Sequence, residues 1–332
     1  MQNKILGKSD VKVSSLAFGA WAIGGWMWGG ADEQDALRAI RASYDMGMTT
    51  IDTAPAYGFG KSEELVAKGM DGVPRNCYQI LTKFGLDWTS QQGEYYFDSI
   101  DNEGKPIKMY RNAKKERVMR ECEDSLRRLK TDYVDLLQIH WADSTTPISE
   151  TMEAVSKLIE QGKVLAAGVC NYSTAQIDEA LKTLNIVSNQ VPYSMVKRDI
   201  EEDVIPQALE KGISILPYSP LQRGLLTGKF TRDYKFNEGD TRPDSKYFKP
   251  GNLDRVQVLI RKIKPIADAH NASIGQVVIN WTTCQPAMGC VLVGARDEAQ
   301  VKENSDALNF TLTDTELDYL RLAVEGTVMA DA

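Results

Sequence analysis

Histidine is scarce in this chain: His140 and His270 are the only two in 332 residues. A histidine-rich zinc site is therefore improbable, and a Ser-His-Asp triad would have only two bases to draw on. Cysteine is sparse too. Cys77, Cys122, Cys170, Cys284 and Cys290 form no C-x-x-C pair, and an odd set in a long chain reads as reduced thiols in a cytoplasmic protein. Basic residues are outnumbered, 39 Lys and Arg against 46 Asp and Glu, for a net charge of −7. Such a surface repels phosphate backbones and anionic lipid, so neither nucleic acid nor a membrane is expected as a partner. One local basic pocket for a small phosphate is still compatible with it. No apolar run approaches the roughly 20 residues that span a bilayer, and MQNKILGKSD has no apolar signal core. No Pro/Gly/Ser-rich linker, low-complexity stretch or close repeat interrupts the chain, so residues 1–332 read as one domain.

What the chain does contain is a regular alternation of short apolar runs and longer amphipathic ones. Strands are expected at 16–21, 49–52, 78–84, 133–140, 164–170, 188–191, 214–219 and 290–294. Helices are expected at 32–47, near 62–70, near 114–129, and at 148–162, 174–184 and 201–212. Others fall near 254–270 and 273–284 and at 297–305, with a last one at 313–326 outside the eightfold count. The strands are almost continuously apolar, the pattern of parallel strands covered on both faces. Eight such βα units predict an α/β fold, a (β/α)8 TIM barrel with extra C-terminal helices. KILGKSDVKVS reads as an N-terminal β-hairpin plugging the barrel's N-terminal end. Two loops, about 85–112 and 220–253, are longer than a connection requires. Both follow strands, so both belong at the C-terminal face, where such barrels carry their sites.

The chemistry-bearing residues gather at strand ends. Asp52 ends the second strand, Lys83 the third and His140 the fourth, and Tyr57 follows Asp52 within AYGFGKSEE. Each alone has an ordinary structural reading: a helix-capping Asp, a Lys paired with it, a His satisfied in the core. Three of them on consecutive strand ends, with a tyrosine between, favour catalysis. An unperturbed phenol has a pKa near ~10. A neighbouring ammonium is expected to lower it, a carboxylate to hold that ammonium, and an imidazole to orient a substrate oxygen. The set suits proton transfer to or from a carbonyl oxygen.

These residues carry a resemblance. LGKSDVKVSSLAFGAW, TTIDTAPAYGFGKSEE, LTKF, SLRRLKTDYVDLLQIHW, GKVLAAGVCNYS, NQVPYS, ILPYSPLQRGLLTGK and VGARDEAQVKEN occur in the order found in the aldo-keto reductases. The chain resembles that superfamily over nearly its whole length, and most of all the bacterial general-stress-protein type. The resemblance implies a TIM barrel binding NADPH across its mouth without a Rossmann fold. In keeping with that, no strand is followed by G-x-G-x-x-G, and GFGKSEE lacks Walker A spacing.

Carried over by position, the resemblance makes Tyr57 the acid, Lys83 its activator, Asp52 the partner of Lys83 and His140 the orienter of the carbonyl. Asn171 and Gln190 would hold the nicotinamide carboxamide, with Trp21 and Cys170 nearby, and Tyr218 would stack on the ring. Ser219, Leu221, Gly224 and Lys229 would run along the pyrophosphate, and Gly294, Arg296, Gln300 and Asn304 along the adenosine end. Cys170 stands where many members carry serine, and a thiol is the weaker donor.

Arg296, expected to open the helix after the last strand, offers a permanent bidentate charge beside helix N–H groups. This favours NADP(H), with NAD(H) as the alternative cofactor. Against it stands a simple pairing of Arg296 with Asp297 or Glu298, and the Asp297 carboxylate would itself oppose a phosphate.

Trp21, Trp28, Trp88 and Trp141 are the expected substrate walls, for an aldehyde, ketone, sugar or cyclitol. The expected activity is that of an NADP-dependent aldo-keto reductase or polyol dehydrogenase, in a monomer or weak homo-oligomer, without metal. Two other readings are a redox-sensing accessory protein that binds the cofactor with little turnover, and a barrel isomerase that needs none.

Overall fold

The structure, a computed structural model, describes residues 1–27, 32–236 and 241–330. Trp28 lies outside the described residues.

A short hairpin opens the chain. β1 (Asn3–Ile5) pairs antiparallel with β2 (Lys12–Ser14), Asn3 opposite Ser14 and Ile5 opposite Lys12. Leu6, Val11 and Val13 are buried against Ala17, Leu81, Leu136, Val187, Leu216 and Leu292, residues of the barrel strands. Burial of each such aliphatic side chain stabilises the fold by roughly 1.5–3 kcal/mol. The hairpin is thus held on as the expected plug.

The strands then follow in the expected order. They are β3 (Leu16–Gly19), β4 (Thr50–Asp52) and β5 (Gln79–Phe84), followed by three strands that form no part of the barrel. Within the region expected as an irregular loop lie β6 (Leu86–Asp87), β7 (Glu94–Ile100) and β8 (Pro106–Arg111). The barrel resumes with β9 (Val134–Ile139), β10 (Val164–Cys170), β11 (Ile186–Pro192), β12 (Ser214–Tyr218) and β13 (Val291–Gly294). β3, β4, β5, β9, β10, β11, β12 and β13 close into one parallel barrel in chain order. Every residue of β9 is buried, as a strand covered on both faces requires.

Helices fill the connections. They are α1 (Glu33–Asp45), α2 (Lys61–Gly69), α3 (Lys115–Leu129), α4 (Ile148–Glu160), α5 (Thr174–Leu181), α6 (Val204–Lys211), α7 (Pro250–Ala269), α8 (Ile274–Thr283), α9 (Glu298–Ser305) and α10 (Asp314–Glu325). Their starts are written in the sequence. Asp32 accepts the Asp35 N–H at 2.8 Å to begin α1. Reciprocal capping boxes, Ser173 with Gln176, Ser273 with Gln276 and Thr313 with Glu316, begin α5, α8 and α10. The main core lies between the barrel and this helical ring.

The 85–112 region corrects the loop expectation: it is a three-stranded antiparallel sheet in the order β6-β8-β7. The reason is local. The Asp101 carboxylate accepts the N–H groups of Glu103 (2.8 Å) and Lys105 (2.9 Å), which closes the turn DNEGK between β7 and β8. At the base, buried Asp87 accepts from the Thr89 N–H at 2.8 Å and the Asn112 amide at 3.2 Å, and faces Arg117 of α3 at 3.2 Å. The second long loop has no strand among its described residues and turns instead through short 3-10 segments at Leu225–Thr227, Arg242–Asp244 and Lys246–Phe248. No helix of the described residues is long and apolar enough to cross a membrane.

Candidate functional site

The C-terminal ends of the barrel strands converge on a cavity of about 620 Å³. Asp52 is the last residue of β4, Lys83 is next to last in β5, and His140 directly follows β9. The His140 N–H is held by the Phe84 carbonyl at 2.9 Å, which fixes the step from strand to rim. Tyr57 sits in a tight turn after β4, its N–H on the Ala54 carbonyl (3.1 Å) and its carbonyl accepting the Ser62 N–H that opens α2 (3.1 Å).

These four residues do meet. The Lys83 ammonium is fully buried and donates to both Asp52 oxygens, at 2.7 and 2.6 Å, and to the Thr53 carbonyl at 2.9 Å. It lies 4.7 Å from the centre of the Tyr57 ring. The His140 ring stands edge-on to Tyr57, centroids 5.7 Å apart. Trp21 stacks on Tyr57 with ring centroids 6.1 Å apart. The Gln190 amide donates to Asp52 Oδ1 at 2.9 Å.

The electrostatics differ from the expectation at one point. The phenol was expected to be acidified by the neighbouring ammonium. Burial instead outweighs Lys83, and Tyr57 is pushed up to about 12. The ammonium does lower the phenol, by charge and hydrogen bonding, but less than desolvation raises it. Burial would lower Lys83 as well, yet the charges of Asp52 and Tyr57 hold it above its ordinary value, so it stays cationic. Burial, then the Lys83 charge, holds His140 well below the usual imidazole value, so its ring is neutral. The site therefore presents a neutral phenol, a neutral imidazole and a buried cation behind them.

From this end the cavity runs toward the loops after β12 and β13. The Asn171 amide donates to the His140 carbonyl at 3.2 Å, and its oxygen accepts the Tyr218 hydroxyl at 3.1 Å. The loop after β12 bends tightly, with Ser219, Gln222 and Arg223 all at left-handed φ. Such strain in non-glycine residues is found where a loop must take one particular course. Ser219, Leu221, Gly224 and Lys229 line this arm, followed by Gly294, Arg296, Gln300 and Asn304. Arg242 lines it too. Burial, then the nearby charges of Arg242 and Arg296, lowers Lys229. Lys229 thus lies in the field of two guanidiniums on this arm, and an anion placed beside it is favoured there. This donor set fits the phosphates of a dinucleotide.

The sequence profile of the Aldo/keto reductase family matches residues 15–325. The chain belongs to the aldo/keto reductase family. It is 36% identical over 330 residues to the aldo-keto reductase YhdN of Bacillus subtilis, covering 99% of this chain and 95% of that one. It is 33% identical over 326 residues to the NADH-specific methylglyoxal reductase of Escherichia coli, covering 97% and 98%. Among solved structures, the glycerol dehydrogenase AKR11B4 of Gluconobacter oxydans superposes with a TM-score of 0.88 at 34% identity, covering 99% and 97%. The nicotinamide dinucleotide expected from the sequence is the cofactor class of this family.

Some expected residues of this aldo/keto reductase lie elsewhere. Trp88 is not in the cavity wall; it packs edge-on against Phe59, centroids 5.3 Å apart, beneath the added sheet. Cys170 is buried below the cavity surface and does not line it. Arg296 does not open a helix: α9 begins at Glu298 with Asp297 as its cap. The Asp297 carboxylate is turned onto that helix, accepting the Gln300 N–H and the Gln300 amide, each at 2.8 Å. It is thereby engaged by donors rather than set against an incoming phosphate.

Other lining residues were not singled out from the sequence: Met27, Leu86, Tyr96, Phe97 and Arg242. Tyr96 and Phe97 fall in the aromatic run EYYF of the long 85–112 segment, which was the signal for them. Nothing in the sequence pattern marked Arg242.

Proposed function

We propose that this protein is an NADP(H)-dependent oxidoreductase interconverting a carbonyl compound and its alcohol, with Tyr57 as the general acid and base. One observation carries the reading: the buried Lys83–Asp52 ion pair lies behind the Tyr57 ring, at the end of a cavity whose far arm is cationic.

When bound, the nicotinamide supplies or takes up the hydride. The residues of the chain handle the proton and the placement. Tyr57, neutral across the physiological range, donates its proton to the carbonyl oxygen as that oxygen gains charge. Lys83, held cationic by Asp52, stabilises the phenolate left behind. His140, neutral, hydrogen-bonds the same oxygen and fixes its direction. Gln190 bonds Asp52 through its amide nitrogen, which leaves its oxygen to accept from a carboxamide. Asn171 and Tyr218 brace one another beside it.

The choice of NADP(H) over NAD(H) rests on Arg296, with Lys229 and Arg242 near it. A guanidinium on the cavity wall suits an additional phosphate, and the Asp297 carboxylate is engaged in the helix cap. A cytoplasmic setting is supported by the five cysteines, all unpaired.

The test is loss of reduced-nicotinamide absorbance on mixing the purified chain with NADPH or NADH and a panel of aldehydes, ketones, sugars and cyclitols. Turnover with at least one carbonyl, faster with NADPH, is expected. Cofactor binding without turnover on any member of the panel would turn the reading toward an accessory role.

A further inference from the structure

The added sheet β6–β8 rises from β5, the third strand of the barrel. The cationic loop follows β12, the seventh, diametrically across the mouth. The lining residues divide the same way. The charged ones apart from Asp52 — Arg223, Lys229, Arg242, Arg296 and Glu303 — come from the regions after β12 and β13. Of the aromatic ones, Trp21, Trp26, Tyr96, Phe97 and Trp141 come from the loops after β3, β5 and β9, whereas Tyr57 follows β4 and Tyr218 ends β12. The phenol of Tyr57 and the ring of His140 therefore face an aromatic chamber on the side away from the cations.

The sheet is shaped for this position. Tyr96 and Phe97 are neighbours in β7, and in a regular strand they would point to opposite faces. The register shifts between Tyr95, opposite Tyr110, and Phe97, opposite Met109. This bulge lets both rings reach the cavity, as bulges beside functional sites do. Phe97 stacks on Trp26, centroids 6.3 Å apart and planes 10° apart, and Tyr96 lies 5.6 Å from Trp141.

It is also fixed in place. The Asn102 amide at its turn donates to the carbonyl of Gly58, next to Tyr57, at 3.1 Å, and to that of Gly24 at 3.4 Å. Ser99 accepts the Trp26 indole N–H at 3.0 Å. Arg111 stacks over Tyr96 at 4.0 Å and pairs with Glu94 at 3.2 Å, whose second oxygen accepts the Ser144 N–H at 3.1 Å. Three rim loops thus hold one wall.

We propose that this sheet is the substrate-selecting wall, and that it selects carbonyl compounds bearing an aryl group over polyhydroxy aldehydes. This rests on the carbonyl–alcohol reading of the site. The rings of the chamber contact an apolar group over its whole face. Hydroxyl groups held against those faces lose water without a matching set of partners.

The experiment compares kcat/KM for benzaldehyde and glyceraldehyde at saturating reduced cofactor. Calorimetry runs in parallel on the binding of benzyl alcohol and glycerol, with and without reduced cofactor. The intact chain is expected to favour benzaldehyde by at least about tenfold. Phe97→Ser should lower benzaldehyde kcat/KM by about tenfold and glyceraldehyde by less than about threefold, with the cofactor Kd unchanged. Asn102→Ala, at the exposed turn, should narrow the preference without touching the wall itself.

A preference for glyceraldehyde, or a benzaldehyde preference that survives Phe97→Ser, overturns the wall and leaves the oxidoreductase reading standing. Tight benzyl alcohol binding that Phe97→Ser abolishes, with neither aldehyde turned over, upholds the wall and overturns the reading. Absence of both turnover and binding overturns both.

Discussion

The side-chain amide of Gln190 is bonded to Asp52 Oδ1 at 2.9 Å, although 138 residues separate the two in sequence. Asp52 thereby receives donors from two sides, Lys83 on one and Gln190 on the other. Gln190 is thus joined to the ion pair behind the phenol. Replacing Gln190 by Met removes a donor from a buried carboxylate, at a cost of about 1–3 kcal/mol. Urea unfolding should show that loss, and a fluorescence titration should show weaker cofactor binding. Unchanged stability would mean that Lys83 alone satisfies Asp52.

The protonation states set a pH dependence. Tyr57 is pushed up to about 12 by burial, so it keeps its proton, and His140 is held far enough down to stay neutral. Both groups are already in the form needed for reduction. The kcat/KM for carbonyl reduction should therefore be flat between about pH 6.5 and 9. Alcohol oxidation needs the phenolate, whose fraction grows as pH climbs toward the Tyr57 value, so its rate should increase across the same window. Reduction that declines steadily over this range would show that a group of lower pKa donates the proton.

The eight strands, the helices between them and the plugging hairpin were legible because each carries its own local signal. Strands such as VDLLQI are continuously apolar, and helices open on S-x-x-Q or T-x-x-E boxes that form as written. The meeting of Asp52, Tyr57, Lys83 and His140 was legible because a barrel puts successive strand ends on one rim. The direction of the Tyr57 shift was not, since desolvation depends on how completely Trp21 and the rest of the surroundings cover the phenol. Trp88 was misplaced because a count of tryptophans near the rim carries no direction. The sheet over 86–111 was missed because the alternation in EYYFDSI is broken by the bulge that turns Tyr96 and Phe97 to one side.

Gly58 follows Tyr57 with φ +67°, and a Cβ built there falls 2.1 Å from the Gly24 carbonyl oxygen. Gly58→Ala must part the two loops that flank the phenol. The left-handed backbone alone costs roughly 1–2 kcal/mol for a residue with a Cβ, and the clash adds to it. A lowered Tm together with a lowered kcat is the expected result. An unchanged Tm would mean that the loop pair yields without strain.

Arg296 offers a clean separation of the two dinucleotides. A hydrogen bond to a charged group contributes about 1.5–3 kcal/mol, so Arg296→Ala should weaken NADPH roughly 10- to 100-fold. NADH binding should change by less than about threefold. Equal losses for both cofactors would place Arg296 on a group that they share.

The most direct measurement removes one oxygen atom. Tyr57→Phe keeps the ring beside Trp21 and His140 and deletes the hydroxyl. Steady-state turnover on a carbonyl substrate should fall by about 10²- to 10⁴-fold, while titration shows NADPH bound as tightly as before. Turnover within a few fold of the original, with cofactor bound, would contradict the assignment of Tyr57 as the proton donor.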